Sequence, residues 1–373
     1  MRLLSLVCFG IIFWTSCSNN SSNQIYYSYL LDYQFAKNLD IESSQRYETG
    51  QLADGSFISF LYSTKSNLIH VYSISSDTLL STISLPESFG RIKSIDIEDS
   101  TNFAVASYSN KIGLYRNGQF ISKDISNYTN EHLMAHHCDV EYLSSQNIVF
   151  FSIIRTVFDT TFEREKQFDL IGMFDFKNDK FSVVPIKYPE IYLKNDLPQP
   201  HYWIRAAEDR VIVSFEFDPF IYIYLPKENG RIEKLEFKPS TYSMTVKLPS
   251  DKMNKAARQD SLMAMSAFHN GFGPAFYDTT SKTYLRIYRP TMPRKDQNGV
   301  FLNSTKQSCS ILKKQGNNVY QYLLPNGVYY VSESWDYCLK ESELIHTKFF
   351  QHDKENKDNS WFQGIYIHKL YNF

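Results

Sequence analysis

The densest group of potential metal ligands in the chain lies at 136–139. Its four consecutive residues are His136, His137, Cys138 and Asp139. In a strand, alternate side chains share a face, so each face would carry two of these groups. A transition-metal site needs three or four ligands that converge on the ion. We therefore interpret these residues as hydrogen-bonding groups near a strand end, keep a metal site as the weaker alternative, and predict no cofactor.

Two sets of aromatic and arginine side chains could bind a ligand. The residues at 202–205 include the kinds of side chain that stack on sugars or fill a pocket at a protein interface. Those at 284–288 alternate along a predicted strand, where an arginine between two aromatic rings could bind an anion. The alternative is structural for both sets, with a core tryptophan in the first and an arginine that joins neighbouring sheets in the second. The candidate ligand-binding residues are Tyr202, Trp203, Arg205, Tyr284, Arg286 and Tyr288.

Paired carboxylates are common in the sequence, for example Asp96 with Glu98 and Glu163 with Glu165. Glycosidases use two carboxyl groups about 5–10 Å apart across a cleft, a separation that sequence spacing does not determine. The chain contains no glycine-rich phosphate loop, no His-Glu-x-x-His and no Gly-x-Ser-x-Gly. We predict no catalytic residue. The formal net charge of −1 gives no reason to expect a nucleic-acid partner.

Short antiparallel strands must position these residues. Asn117-Gly118 separates the alternating runs Lys111–Tyr115 and Gln119–Ile125, which is the strongest short signal for a β-hairpin. Together with Ile92–Ile97 and Phe103–Ser107, these runs predict a four-stranded meander. We predict similar units over 57–85, 138–186 and 202–237 and in the C-terminal third of the chain, and a connection over 36–54.

Repeated four-stranded meanders must stack around an axis, since one meander cannot bury both of its faces. About six units predict an all-β fold, a six-bladed β-propeller of four-stranded antiparallel blades. A seven-bladed propeller and two β-sandwich domains are the alternatives. Apolar residues among charged ones at 251–265 predict one short helix between blades. The strand predicted at Ile25–Phe35 is placed to complete the last blade.

The first residues resemble a bacterial lipoprotein signal. Arg2 precedes the apolar run Leu3–Trp14, which is too short to cross a bilayer but fits a signal peptide. Cys17 follows two small residues and precedes an uncharged Ser/Asn-rich segment. In such signals the cysteine is acylated and becomes the first mature residue. Trp14 departs from the small aliphatic residue usual at that position, so a secretory signal with a chance cysteine stays open.

The resulting division of the chain is a lipoprotein signal peptide at 1–16, a flexible tether at 17–24 and one propeller domain at 25–373. Resemblance to known sorting rules favours the outer membrane, because no acidic residue follows Cys17 directly. Cys309 and Cys338 could form a disulfide outside the cytoplasm, or remain free thiols, because spacing alone does not bring them within bonding distance.

A family resemblance rests on the signal, the meanders, the predicted helix and the segment from Phe276-Tyr277-Asp278 to Arg289. Its most specific part is Asp278 followed by Tyr284-x-Arg286-x-Tyr288-Arg289. These features look like a family of uncharacterised propeller lipoproteins from Gram-negative anaerobes that is grouped with TolB-like six-bladed propellers. The resemblance covers most of the mature chain. It implies a fold and a location but no catalytic residues, because the family has no established activity.

Two hypotheses for function follow. The first is a lipid-anchored binding or scaffold protein of the cell envelope, whose propeller face meets a protein or glycan partner. The second is an envelope carbohydrate-active enzyme with carboxylates in the central funnel. The absence of a catalytic signature favours the first hypothesis.

Overall fold

A computed structural model describes most of the strands of the chain. The described residues are 27–34, 45–51, 56–63, 65–73, 76, 78–130, 132–133, 140–154, 168–194, 202–239, 271–289, 310–323, 337–340, 343–351 and 361–369. The signal, the tether, the helix predicted at 251–265 and the potential metal ligands at 136–139 lie outside these ranges.

The described strands form six antiparallel sheets, numbered here I to VI along the chain. Sheet I contains β2 (Gln45–Gln51), β3 (Phe57–Ser63), β4 (Leu68–Ser73) and β5 (Thr78–Ser84). Sheet II contains β6 (Ile92–Asp99), β7 (Asn102–Ser107), β8 (Lys111–Arg116) and β9 (Gln119–Asp124). Sheet III contains β10 (His132–Leu133), β11 (Val140–Leu143), β12 (Ile148–Ile154), β13 (Ile171–Asp175) and β14 (Lys180–Val184), with both β10 and β11 paired to β12.

The second half of the chain repeats the pattern. Sheet IV contains β15 (Tyr202–Ala207), β16 (Arg210–Phe215), β17 (Phe220–Leu225) and β18 (Arg231–Glu236). Sheet V contains β19 (Gly271–Asp278), β20 (Thr283–Arg289), β21 (Ser310–Gln315) and β22 (Asn318–Leu323). Sheet VI contains β23 (Tyr337–Lys340), β24 (Glu343–Gln351), β25 (Trp361–Lys369) and the first strand of the chain, β1 (Tyr27–Gln34). Within the described ranges, the helical segments are α1 (Glu190–Lys194) and the 3₁₀ turns Glu87–Phe89, Ile125–Asn127, Ser144–Gln146 and Pro226–Glu228.

Successive sheets pack around a closed ring. The inner strand of each sheet contacts the inner strand of the next, in the order β2, β6, β11, β15, β19 and β23, and β23 contacts β2 again. Alternate side chains of one strand fill the cores on its two sides, as the two-residue period of a strand requires. In β12, Phe150 packs between sheets III and IV, whereas Phe151 packs between sheets II and III. The result is a propeller-like, all-β fold.

The two ends of the chain meet in sheet VI. β1 pairs antiparallel with β25 over eight residues, from Tyr27 opposite Lys369 to Gln34 opposite Phe362. This confirms a strand near Ile25–Phe35 that completes the last sheet. Because β25 lies between β1 and β24, the amino-terminal strand occupies the outer edge of that sheet.

One predicted connection is wrong. Residues 36–54 contain β2, which pairs with β3 from Gln45 opposite Ser63 to Gln51 opposite Phe57. Its sequence, QRYETGQ, lacks the apolar alternation that marks a half-buried strand. β2 forms because it joins the ring as the inner strand of sheet I, a long-range role that local pattern does not encode.

The turns that follow the inner strands of sheets III, IV and V lie together on one face of the ring. The turn after β11 reaches the turn after β15 through Ser145 Oγ, which donates to the carbonyl of Glu208 at 2.6 Å. Lys282, in the turn after β19, forms an ion pair with the same Glu208 at 2.6 Å. We call this side the hairpin face. The opposite side, where each inner strand begins and each second strand ends, is the connection face.

Candidate functional site

One residue of each predicted ligand-binding set, Tyr202 and Arg286, contacts the same turn, Phe215–Phe220, between β16 and β17 on the connection face. Tyr202 lies 5.8 Å from Phe215 between ring centroids, and its hydroxyl donates to the carbonyl of Leu170 at 2.9 Å. Trp203, beside it in β15, is buried. Of the first set, Tyr202 therefore packs against the turn from within sheet IV.

Arg286 reaches the same turn from sheet V. Its Nη1 donates to the carbonyls of Asp218 at 2.9 Å and Phe220 at 3.3 Å. Its Nη2 donates to the carbonyl of Phe215 at 2.8 Å. The guanidinium is fully buried and lies 4.2 Å from the ring centroid of Phe272. These contacts join β20 to the neighbouring sheet, which is the structural role considered as an alternative for this residue.

The two tyrosines beside Arg286 have separate surroundings. Tyr288 is buried, with its ring centroid 5.2 Å from that of Phe272. Tyr284 lies toward the hairpin face, where Arg210 Nη1 donates to its hydroxyl at 2.7 Å. A ligand-binding role for these six residues stays a prediction, and their described contacts join strands and sheets.

Acidic side chains of the turn complete the cluster, and the sequence analysis did not single them out. Glu216 and Arg289 form a buried pair at 3.5 Å. Asp218 accepts hydrogen bonds from the hydroxyl of Tyr222 at 2.8 Å and from the backbone N–H of Phe220 at 3.1 Å. The signal was present in the order Phe-Glu-Phe-Asp at 215–218, which places two carboxylates among aromatic residues directly after an apolar strand.

Burial dominates the electrostatics of this turn. It raises the pKa of Asp218, although the N–H of Phe220, the hydroxyl of Tyr222 and the charge of Arg286 oppose the shift. Burial also raises the pKa of Tyr192 well above its usual range, and this hydroxyl accepts the N–H of Phe217 at 2.7 Å. The two carboxylates and two guanidiniums balance in charge, as buried ionic groups generally require.

A second charged group bridges the inner strands of sheets II, III and IV. Arg205 Nη1 lies 2.7 Å from Glu141 Oε1, and Glu141 Oε2 accepts the N–H of Ala206 at 2.8 Å. Asp96 Oδ2 accepts the N–H of Tyr142 at 2.6 Å. Each carboxylate thus binds a backbone amide of the next inner strand. Arg205 was predicted from sequence as a ligand-binding residue, whereas Glu141 was considered only as a potential metal ligand beside 136–139.

Asp96 has an unusual protonation equilibrium. Burial raises its pKa from 3.8 to about 6, and Glu98 adds to the shift, while the N–H of Tyr142 and the charge of Arg205 oppose it. Asp96 still keeps some solvent-accessible surface. A carboxyl group that titrates near neutral pH can exchange a proton with a bound molecule.

No three His, Cys, Asp or Glu side chains converge on a possible metal position among the residues that the structure describes. The potential metal ligands at 136–139 lie outside those residues. So does Cys309, whereas Cys338 lies in β23, opposite Ile345 of β24. Within the described part of the chain, no helix has the length and apolar character needed to cross a bilayer.

The fold and the site define a class of propeller-like proteins in which buried charged side chains join neighbouring sheets. Residues 29–311 match the model of DUF4221, a domain of unknown function, and the chain belongs to that family. No curated protein matches it in sequence.

Solved structures match the chain at low sequence identity. A DUF4221 family member from Bacteroides vulgatus is 12% identical with a TM-score of 0.62, and the match covers 92% of this chain and 98% of that one. A Bacteroides fragilis protein described as exported is 12% identical with a TM-score of 0.49, covering 91% and 94%. The β-propeller domain of Cps50 (Swd1) from Myceliophteria thermophila is 7% identical with a TM-score of 0.40, covering 87% and 82%.

Proposed function

We propose that this chain is a TolB-like six-bladed β-propeller and acts as a lipid-anchored binding or scaffold protein of the cell envelope. In this proposal the six sheets are the six blades, and residues 17–24 tether the domain at 25–373 to the membrane. One face of the ring meets a protein or glycan partner. The closed order of contacts among the six inner strands supports the blade count.

The observation that carries the proposal is the set of contacts made by the described carboxylates of the inner strands. A glycosidase needs two carboxyl groups that face each other across a cleft about 5–10 Å wide. Asp96 and Glu141 instead accept backbone N–H groups from the next inner strand, and Glu141 also pairs with Arg205. These contacts join neighbouring inner strands, which suits a scaffold that presents loops to a partner.

The location in the proposal comes from the sequence. A positively charged start, a short apolar run and a cysteine followed by an uncharged tether are the features of a lipoprotein signal. A flexible Ser/Asn-rich tether would let the domain stand away from the lipid surface. The absence of an acidic residue directly after Cys17 favours the outer membrane.

Membrane fractionation of two cysteine variants tests the anchor. Cys17→Ala removes the proposed acylation site, whereas Cys8→Ala changes a cysteine inside the apolar run and serves as the matched control. We expect radiolabelled palmitate to be incorporated by the wild type and by C8A but not by C17A, and C17A to leave the membrane fraction. Retention of C17A in the membrane would show that the anchor is not at this cysteine.

Crosslinking in intact envelopes tests the binding function. Wild-type and C17A proteins would be treated with a membrane-impermeant and a membrane-permeant crosslinker, purified and analysed for covalently attached molecules. We expect a defined partner with the wild type and reduced recovery with C17A, because the anchor keeps the partner at high local concentration. Recovery of the same set of crosslinked molecules from both proteins would contradict the proposal.

A carbohydrate-active enzyme is the second candidate, and Asp96 is the observation in its favour. A carboxyl group with a pKa of about 6 has the property needed for a general acid. The test is hydrolysis of envelope polysaccharides by the purified protein, with Asp96→Asn as the variant. Turnover that disappears in D96N would replace the binding proposal with the enzymatic one.

A further inference from the structure

An exposed tyrosine and two cations form a compact cluster on the connection face. Tyr108, in the turn between β7 and β8, is 46% exposed. Arg91 Cζ lies 5.5 Å from its ring centroid, and Lys93 Nζ lies 5.6 Å from the same point. Both distances are within the range of cation–π contacts. We call Arg91, Lys93 and Tyr108 the Tyr108 cluster.

A β-bulge positions one of the two cations. In the pairing of β6 with β7, Ile92 lies opposite Ser107 and Ser94 lies opposite Ala106, so Lys93 is the extra residue. A bulge bends its strand and redirects a side chain, and bulges are enriched beside functional sites. Here the bulge occurs at the start of an inner strand.

Backbone contacts hold the tyrosine in place. The N–H of Tyr108 donates to the carbonyl of Arg91 at 3.0 Å. Ser107 Oγ accepts the N–H groups of Ser109 at 3.1 Å and Lys111 at 3.4 Å, which fixes the turn. Gly90, at φ 86°, leaves no room for a Cβ beside Ser109 Oγ, so glycine lets the two loops approach each other. The backbone that carries Arg91 and Tyr108 is therefore fixed, which lowers the cost of ordering the site when a ligand binds.

The chemistry of the cluster fits a sugar that carries a carboxylate. The guanidinium of Arg91 can form paired hydrogen bonds with a planar carboxylate. The ammonium of Lys93 adds a second positive charge, and the exposed part of the Tyr108 ring offers an apolar surface for a pyranose ring. We propose that the Tyr108 cluster binds a uronic acid residue of an acidic glycan. This deepens the proposed binding function, on which it rests, by naming the class of ligand.

The chain contains a matched contact without these binding features. Lys234 Nζ lies 5.1 Å from the ring centroid of Tyr222, also within cation–π range. Tyr222 is only 8% exposed and its hydroxyl donates to Asp218, so its ring is covered by the fold. Lys234→Gln therefore removes the same charge and the same type of contact from the same molecule, away from the Tyr108 cluster.

Calorimetric titration of the full chain in detergent tests the proposal. The probes are a galacturonic acid trisaccharide, the matching neutral galactose trisaccharide and inorganic phosphate, with phosphatidylglycerol and phosphatidylcholine vesicles as separate arms. The variants are Arg91→Gln, Lys93→Gln, Tyr108→Ala and the control K234Q. Thermal unfolding of each variant checks that the fold is kept.

We expect saturable binding of the acidic trisaccharide, weakened about tenfold in R91Q, K93Q and Y108A and less than about twofold in K234Q. The neutral trisaccharide should bind at least about tenfold more weakly. Equal binding of the two sugars, an equal loss in K234Q, or tighter binding of phosphate or of acidic vesicles would overturn the proposal. The absence of binding would also overturn the proposal. If crosslinking still recovers a partner in that case, the broader binding function remains supported.

Discussion

Arg286 shows how one side chain can join two sheets. Its guanidinium donates to three backbone carbonyls of the turn between β16 and β17 and is fully buried. An arginine suits this position because its planar fork presents several donors in fixed directions. Removing it would leave buried carbonyls without these donors, which costs more than the contact itself contributes.

Arg286→Met should therefore lower the free energy of unfolding by about 3–5 kcal/mol, the range found when one partner of a buried charged network is removed. Urea denaturation followed by tryptophan fluorescence measures the loss. Arg231→Met is the control, since Arg231 on β18 is 56% exposed and pairs with Glu228 and Glu233 at the surface. That variant should change stability by less than about 1 kcal/mol. Equal losses would mean that Arg286 does not hold the turn.

At the scale of elements, carboxylates connect neighbouring inner strands. Asp96 of β6 binds the N–H of Tyr142 in β11, and Glu141 of β11 binds the N–H of Ala206 in β15. Each of these hydrogen bonds joins one sheet to the next, in addition to the apolar packing between the sheets. The inner ring is thus held by polar as well as apolar contacts.

The Asp96 contact should make stability depend on pH. Its pKa of about 6 in the folded chain lies above the ordinary 3.8, so the native state binds the proton more tightly than the unfolded state. The resulting stabilisation is present at low pH and lost as pH rises through about 6. Between pH 4.5 and 7.5, the wild type should lose about 2 kcal/mol relative to Asp96→Asn, which keeps an oxygen acceptor for Tyr142. Urea denaturation at several pH values measures this difference.

Asp99→Asn on the same strand is the matched control. Burial alone would raise the pKa of Asp99, but hydrogen bonds from Asn102 and Thr101 outweigh it and lower the pKa. The stabilisation from a lowered pKa is lost only as pH falls below the ordinary value. The difference between wild type and D99N should therefore stay flat from pH 4.5 to 7.5. A flat profile for D96N as well would show that Asp96 does not titrate in this window.

Strand β13 depends on a glycine at its second position. A Cβ at Gly172 would lie 2.5 Å from Phe151 Cε2 and 2.9 Å from Ile153 Cγ2, and Phe151 is its partner across the strand pair. The aromatic ring occupies the space that a side chain would need. Gly172→Ala should destabilise the chain by about 1–3 kcal/mol. Ser122→Ala on the exposed strand β9 should stay within about 0.5 kcal/mol in the same denaturation assay.

Local pattern predicted the hairpins but not the inner ring. Asn117-Gly118 marks a turn through its own backbone preference, so β8 and β9 could be located from sequence. β2 could not, because its polar sequence forms a strand only beside β3 and within the ring. For the site, spacing placed Arg286 and Tyr288 on one strand. The partners of Arg286 lie 66–71 residues earlier in the chain, and spacing carries no information on such contacts.

At the scale of the whole molecule, the pairing of β1 with β25 joins the two ends of the chain. A chain variant that lacks residues 2–34 would leave the nine-residue strand β25 without its outer partner. Amides of Trp361–Lys369 should then lose hydrogen-exchange protection, while those of Arg210–Phe215 keep it. A variant that lacks residues 2–24 but keeps β1 is the control. Equal protection of β25 in both variants would contradict the role of β1.

The position of β1 also determines where a mechanical load would enter the fold. If Cys17 carries the lipid, a pull between the membrane and a bound partner reaches β1 at Tyr27, which lies opposite Lys369. Unfolding under force would begin where β1 separates from β25. Sheets I to V, each formed by one continuous segment of the chain, would unfold afterwards. The pairing of β1 with β25 would then limit how much tension the tethered protein withstands.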